Sequence, residues 1–368
     1  MATRAPSLFA GLPQGLFQSM DMLQSVCGFS ENPPPHPPPC EEVLPSQVVQ
    51  LEKYVAEPVN LPGGLSLLKG RVNTADVFGV SNSDLVPGKY EGGLKLWESS
   101  TDLVNALKHE IQDGQLSFNG KKVLELGCGH GLPAIFACLE GASTVHFQDF
   151  NAEVLRCLTI PNVNLNLEKA HKQQACHTDN AAIPTKTTAL APDIHFYAGD
   201  WGELHSLLSV VATDQVDLAG EVDKIFLEED VLLDDSGSQD GSSANQEIPA
   251  SSNQIQQVRC TRRHSQCHAC EWARDSDLSE GGYDIILMAE TVYSVSSFKK
   301  LYGIIKKCLR PPNGVVYLAA KKHYFGVGGG TRQFKSFVEE DGILGAHLVV
   351  DIADGASNVR EIWKFFFN

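Results

Sequence analysis

Residues 121–133, KKVLELGCGHGLP, leave this chain few ways to fold. Val123, Leu124 and Leu126 make a short apolar run cut off sharply by glycine, which reads as a buried strand. Gly127, Gly129 and Gly131 let the backbone turn tightly and approach a ligand, since no Cβ stands in the way. Pro133 suits the first position of a following helix, where its missing N–H costs nothing. A strand, a glycine turn and a helix start together offer backbone donors to a nucleotide-like ligand. The three glycines would also serve a purely structural turn, so further ligand contacts are needed to choose. The dinucleotide fingerprint G-x-G-x-x-G/A wants a small third residue at 132, and Leu132 stands there.

Composition narrows the rest. With 368 residues, one large α/β domain with extensions or two small domains are expected. A net charge of −16 argues against a chain whose main work is gripping nucleic-acid phosphates. No apolar run reaches the length needed to span a bilayer, so no membrane association is expected. Ten scattered cysteines, one of them in the glycine turn, fit a reducing compartment better than a disulfide framework. Residues 1–20 hold a single arginine and no apolar signal core, which reads as a tail of a cytoplasmic or nuclear protein.

Residues 1–45 read as a disordered tail whose proline run at 33–39 is an extended spacer or docking strip. Residues 46–110 read as an N-terminal extension and lid region, with no clear elements before Tyr90 and a helix capped by Ser100 or Thr101. Trp97, just before that helix, is either a core aromatic or part of a ligand lid. From 111 to 368 the pattern is strand and helix in alternation. Residues 144–149 read as a second strand, and Asp149 at its end can accept both ribose hydroxyls or cap the next helix. That helix is expected to end at Pro161 and the asparagines after it. Residues 194–199 make a third strand, with Asp200 and Trp201 at its end, placed to contact an adenine or to be a cap and a half-buried aromatic.

Residues 213–281 are rich in Ser, Asp, Gly, Asn and Gln and read as a disordered insertion. They hold Cys260, His264, Cys267 and Cys270, legitimate zinc ligand types, though a single compact run with no second knuckle argues against a metal. Strand character returns at 283–289 and leads into Glu290 and Tyr293. An amphipathic helix follows to 309, then a strand at 314–320, a glycine-rich loop at 321–330, another helix, and a closing β-pair. The fold expected is a doubly wound α/β sheet of seven strands, the last antiparallel, with its ligand at the carboxyl edge.

The E-x-G-x-G-x-G turn resembles motif I of S-adenosylmethionine-dependent methyltransferases. The segments GKYEGGLKLWESSTDL at 88–103, VHFQDFN at 145–151, TIPNVNLN at 159–166, FYAGDW at 196–201, YDIILMAETVYS at 283–294 and KKHYFGVGGG at 321–330 resemble the protein-histidine methyltransferases of that superfamily. The resemblance implies transfer of a methyl group from S-adenosyl-L-methionine to a histidine of a large-subunit ribosomal protein, in the cytoplasm and nucleus, with the nucleolus one candidate site. It implies a monomer with a protein partner and no direct nucleic-acid contact. The cofactor set expected is Trp97, Glu125, Gly127, Gly129, Gly131, Asp149, Asp200, Trp201 and Glu290, with no metal. Glu290 and Tyr293 are the catalytic candidates: Glu290 is placed to take the far ring N–H of the imidazole, or simply to cap a helix. His323, Tyr324 and Phe325 are expected to wall the substrate pocket. The competing expectations are a lysine or RNA methyltransferase and a non-catalytic cofactor-binding assembly factor.

Overall fold

The run Val123, Leu124, Leu126 lies in β4 (Lys122–Leu126), the middle of a parallel sheet in the computed structural model of the protein. Residues 37–49, 54–80, 83–178, 191–211, 281–353, 355 and 358–368 are described by the structure. On one side of β4 pair β5 (Thr144–Asp149) and then β6 (Asp193–Ala198); on the other pair β7 (Ile285–Ala289) and then β8 (Val315–Lys321), all parallel. Strands buried on both faces read as continuous apolar runs, as Ile285, Ile286, Leu287 and Met288 do. Beyond β8, the antiparallel β10 (Arg360–Phe367) separates it from the edge strand β9 (Leu344–Ile352). The doubly wound sheet with an antiparallel end is therefore as expected.

The five parallel strands run in the spatial order β6-β5-β4-β7-β8, so the chain reverses direction across the sheet between β4 and β7. That is the topological switch point, where open α/β sheets bind their ligands. Helices cover both faces. Apolar side chains of α2 (Glu98–Gln112) and α3 (Leu132–Leu139) pack into one core cluster. Those of α5 (Phe298–Cys308) and α6 (Thr331–Glu339) pack into the second, on the opposite face.

Four expectations need correcting. The tail does not extend to residue 45: β1 (Glu41–Glu42) pairs antiparallel with β6 as an eighth strand, and Val43 beside it is buried in the main core. Left bare, β6 would be an open sheet edge, and a short strand covers it. The region 46–90 holds a hairpin of β2 (Val55–Asn60) and β3 (Ser66–Arg71), then the short helix α1 (Thr74–Phe78). The helix after Trp97 begins at Glu98, with Trp97 itself at the N-cap and no side-chain cap.

The helix after Asp149 does not end at Pro161. It passes through a π turn, Leu155–Thr159, into α4 (Ile160–Thr178). A π turn shifts the hydrogen-bond ladder by one residue, which gives a proline lacking N–H a place in a continuing helix. The asparagines after it are struts. Asn162 accepts the Gly70 N–H at 2.6 Å and donates to the His130 carbonyl at 3.0 Å, and Asn166 brackets the Leu68 backbone at 2.8 Å on both sides. They tie the β2–β3 hairpin to the body of the molecule. Residues 1–36 and the expected insertion, with Cys260, His264, Cys267 and Cys270, lie outside the described residues apart from position 281. Among the described residues no cluster of metal-ligand side chains occurs, and no helix is long and apolar enough to cross a membrane.

Candidate active site

The carboxyl ends of β4, β5, β6 and β7 open into a cavity of about 470 Å³, roofed by the segment from Leu85 to Ser100. The glycine turn forms its floor. Gly127 has φ of 64°, and a Cβ there would meet the Thr291 methyl at 2.8 Å; at Gly129, with φ of 47°, it would meet the Gly93 carbonyl at 2.9 Å. These two glycines are thus fixed both by conformation and by the close approach of β7's end and of the roof.

Asp149 stands on the β5 side. Its Oδ2 accepts the Gly129 N–H at 2.9 Å and its Oδ1 accepts the Asn151 N–H at 3.1 Å. Burial pushes this carboxyl up to about 6 despite those bonds. Trp201 lies at the end of β6 with its indole N–H on Gln148 Oε1 at 2.9 Å. Gln148 also accepts the Gly127 N–H at 3.2 Å and donates to the Gly199 carbonyl at 3.0 Å, so one buried amide ties the glycine turn, β6 and the Trp201 ring together. Asp200 accepts from the Gly202 N–H at 2.8 Å and pairs with Lys300 at 3.1 Å.

Across the switch point, Glu290 ends β7. Its φ of 60° is the one positive value among the described non-glycine residues, a strain that functional sites tend to retain. The side chain is only 8% exposed, and each oxygen takes a hydroxyl: Ser99 from α2 donates to Oε1, and Tyr324 from the 321–330 loop donates to Oε2. Burial holds its carboxyl above the usual range against those two bonds. Tyr293 donates its hydroxyl to Glu91 Oε2, and Glu91 Oε1 accepts the Gly88 N–H at 2.7 Å. Burial, then the Glu91 charge, raise the Tyr293 phenol, which stays neutral. Trp97 forms part of the roof, with its N–H on the Gly92 carbonyl at 3.1 Å and the Lys95 ammonium 4.4 Å from its ring centroid.

Trp97, Gly127, Gly129, Asp149, Asp200, Trp201, Glu290 and Tyr293 therefore line one cavity. Others of the expected set do not. Glu125 is buried behind the turn, where Oε2 accepts the Ala134 N–H at 2.9 Å and pins the start of α3. Gly131 packs under the Phe147 ring, 3.0 Å from where its Cβ would be. His323 is an exposed residue whose carbonyl takes the Asn358 amide, and Phe325 is 77% exposed, so neither walls the cavity. Tyr324 reaches the site only through Glu290.

Several lining residues escaped sequence reasoning. Glu91 and Gly93 sat within a recognisable segment but carried no motif logic of their own. Gln148, fully buried behind the lining, looked like one more strand residue, and its one signal was a buried-pattern amide just before Asp149. His130 and Thr291 are each 4% exposed and each has a polar atom without a partner among the described residues, Nδ1 and Oγ1. The His130 Nε2 lies 3.1 Å from the Leu94 carbonyl, which only accepts, so the ring proton sits there and Nδ1 is a bare lone pair. Burial holds that ring down to about 4, hence neutral. Orphaned polar atoms in a buried wall fit a polar ligand. Two glycines that admit a ligand to the backbone, an acid placed for ribose hydroxyls and an indole face fit a nucleoside-bearing cofactor such as S-adenosylmethionine.

Comparison with known proteins agrees with that fit. A family described as lysine methyltransferase matches residues 243–339, which include β7, α5 and β8. A histidine protein methyltransferase 1 homolog of Dictyostelium discoideum is 33% identical over 283 residues, 77% of this chain and 60% of that protein. The Rattus norvegicus homolog is 28% identical over 325 residues, 87% of this chain and 70% of that protein. Histidine protein methyltransferase 1 of Schizosaccharomyces pombe is 36% identical over 143 residues, 34% of this chain and 41% of that protein. The chain thus spans about 60% of the length of the Dictyostelium relative. By these relatives the chain is similar to the histidine protein methyltransferases, and the glycine-floored cavity at its switch point fits the S-adenosylmethionine cofactor.

Proposed function

We propose that this protein transfers the methyl group of S-adenosyl-L-methionine to an imidazole nitrogen of a histidine in a protein of the large ribosomal subunit, acting as a monomer in the cytoplasm and nucleus. One observation carries the reading. A ribose-accepting acid and a glycine turn on one side of the switch point face carboxylate and phenol side chains on the other, inside a single cavity.

The cofactor, when bound, supplies an electrophilic methyl on a sulfonium, so the main demand on the protein is alignment of the incoming nitrogen with it. Gly127 and Gly129 would hold its amino-acid portion, Asp149 its ribose hydroxyls, and Trp201 its adenine face. Imidazole, with a reference pKa of about 6.5, already offers a neutral lone pair at physiological pH, whereas lysine, at about 10.4, must first lose a proton. The cavity suits the easier case. Among its lining carboxyls, Glu290 and Asp149 are buried and committed to hydroxyl or backbone donors, Asp200 is paired with Lys300, and the half-buried Glu91 is held by the Tyr293 phenol and the Gly88 N–H.

The lysine methyltransferase match keeps lysine as the second reading. Protein extracted from large ribosomal subunits, incubated with isotopically labelled S-adenosylmethionine and digested for mass spectrometry, separates the cases. Label on histidine is the expected result. Label on lysine or on RNA would transfer the proposal to those substrates, and cofactor binding without transfer would make the protein an assembly factor.

A further inference from the structure

Taking the histidine reading as given, we propose that Glu91, held by Tyr293, is the carboxylate that accepts the far N–H of the substrate imidazole and thereby selects which ring nitrogen is methylated. Among the described residues, four carboxyls line the cavity: Glu91, Asp149, Asp200 and Glu290. Both Asp149 oxygens carry backbone amides on the ribose side. Asp200 is used by Gly202 and Lys300. Glu290, expected from sequence to orient the ring, is only 8% exposed, and its two oxygens brace α2 to the 321–330 loop.

Glu91 differs. It lines the cavity and is only half-buried. Its backbone N–H is tied to Asn151 Oδ1 at 3.2 Å on the β5 side, while its carboxylate reaches Tyr293 beyond β7, so it spans the roof over the switch point. An ionised carboxyl has about four lone-pair sites, and the Tyr293 hydroxyl and Gly88 N–H use two of them. The Tyr293 phenol donates to a fixed oxygen and so sets the rotamer of the carboxylate.

The chemistry needs such a group. A neutral imidazole has two nitrogens, and the one without hydrogen is the nucleophile; whichever partner takes the N–H fixes the tautomer. As the lone pair becomes the new N–CH3 bond, the C–S electron pair returns to sulfur and the positive charge passes to the ring. The ring's remaining N–H then points at Glu91, where the hydrogen bond becomes charge-assisted. That proton is lost to solvent after release, and no oxidant or further reactant enters. Stabilisation that grows along the reaction raises kcat and leaves substrate affinity almost untouched.

The test uses the full chain and its Glu91→Gln, Glu91→Asp and Tyr293→Phe variants, with large-subunit ribosomal protein and a histidine-centred peptide library as probes. Four readouts are taken: kcat, KM, the dissociation constant for S-adenosylmethionine by calorimetry, and the ratio of the two N-methylhistidine isomers by chromatography. Glu91→Gln is expected to lower kcat by about 10²–10⁴-fold, the usual worth of a positioned acid–base partner. Cofactor affinity should stay within about threefold, and the residual product should become a mixture of isomers. Glu91→Asp should recover part of the rate and the single isomer, and Tyr293→Phe should lose isomer purity with a smaller drop in rate. A merely structural role would not move the isomer ratio. Glu91→Gln with near-normal kcat and one isomer overturns the proposal, as does a loss confined to cofactor affinity. No methylhistidine from the unaltered chain on either probe sinks the histidine reading itself, and this inference with it.

Discussion

At the residue scale, two buried carboxyls beside the glycine turn behave differently because their neighbours differ. Asp149 is held up to about 6 by burial, while the ribose hydroxyls it is placed to accept favour its charged form. Cofactor affinity should therefore fall as pH drops through about 6, by roughly tenfold per pH step below it. Calorimetry between pH 5 and 7 checks this; Asp149→Asn should bind weakly and lose that dependence. Glu125 is pushed higher, to about 8, by burial and then by the Asp149 charge, against the Ala134 N–H. Its folded value lies above its ordinary 4.5, so the native state binds more protons and stability declines as pH rises from about 4.5 to 8. Glu125→Gln, which cannot ionise, should match the parent near pH 4.5 and exceed it at pH 8.5. The gain is at most about 5 kcal/mol, from about 1.36 kcal/mol for each pH step between the two values. Denaturant melts at the two pH values decide it, and an advantage that does not grow with pH contradicts the assignment.

Elements meet at the site through side-chain partnerships that sequence patterns do not encode. The Ser99–Glu290–Tyr324 chain of hydrogen bonds joins the start of α2, the end of β7 and the 321–330 loop. Removing the Tyr324 hydroxyl leaves a buried carboxyl short of a donor, at a cost of about 1–3 kcal/mol. Tyr324→Phe should accordingly speed hydrogen exchange at Gly328 and Gly329, whose amides bond Tyr324 and Tyr293 carbonyls at 2.9 and 3.0 Å. Asn162→Ala strips the buried Gly70 N–H and the His130 carbonyl of partners, so about 1–3 kcal/mol should be lost and amides of β3 should exchange faster. Unchanged exchange in β3 would mean the hairpin is held by its apolar contacts alone. From the sequence, these asparagines looked like helix-ending residues, because proline followed by asparagines is a local turn signal. A π turn just before the proline and hairpin partners more than 80 residues away override that signal.

Over the whole molecule, the antiparallel end of the sheet depends on one buried acid. Glu361 on β10 is 1% exposed and accepts from Thr331 at 2.5 Å, the Trp363 indole at 2.9 Å and Arg332 at 2.7 Å. Burial alone would raise its carboxyl, but Arg332, Thr331 and Trp363 together hold it below the usual range. Its contribution is thus present above pH 4.5 and lost as pH falls through the lowered value. Glu361→Ala should destabilise the fold toward the low end of the roughly 3–5 kcal/mol of a broken buried pair, because Arg332 is partly exposed. Urea denaturation at pH 7 measures the loss, and a change below about 1 kcal/mol would place the pair among surface bridges.

The sequence alone determined the parallel sheet, the glycine turn and the acid at the end of β5, because these follow from periods and turn chemistry within about 30 residues. It also placed Asp200, Trp201, Glu290 and Tyr293 at strand ends, and all four reach the cavity. Only the tertiary structure decided what those side chains face. Glu125 carries the right letter in the motif yet points behind the turn to Ala134, since alternate residues of a strand leave by opposite faces. Glu290 binds hydroxyls from α2 and the 321–330 loop, and the carboxylate that meets Tyr293 is Glu91, almost 200 residues earlier. Hydrogen-bond partnership over such separations is set by how packed elements bring their ends together, and no local pattern encodes it.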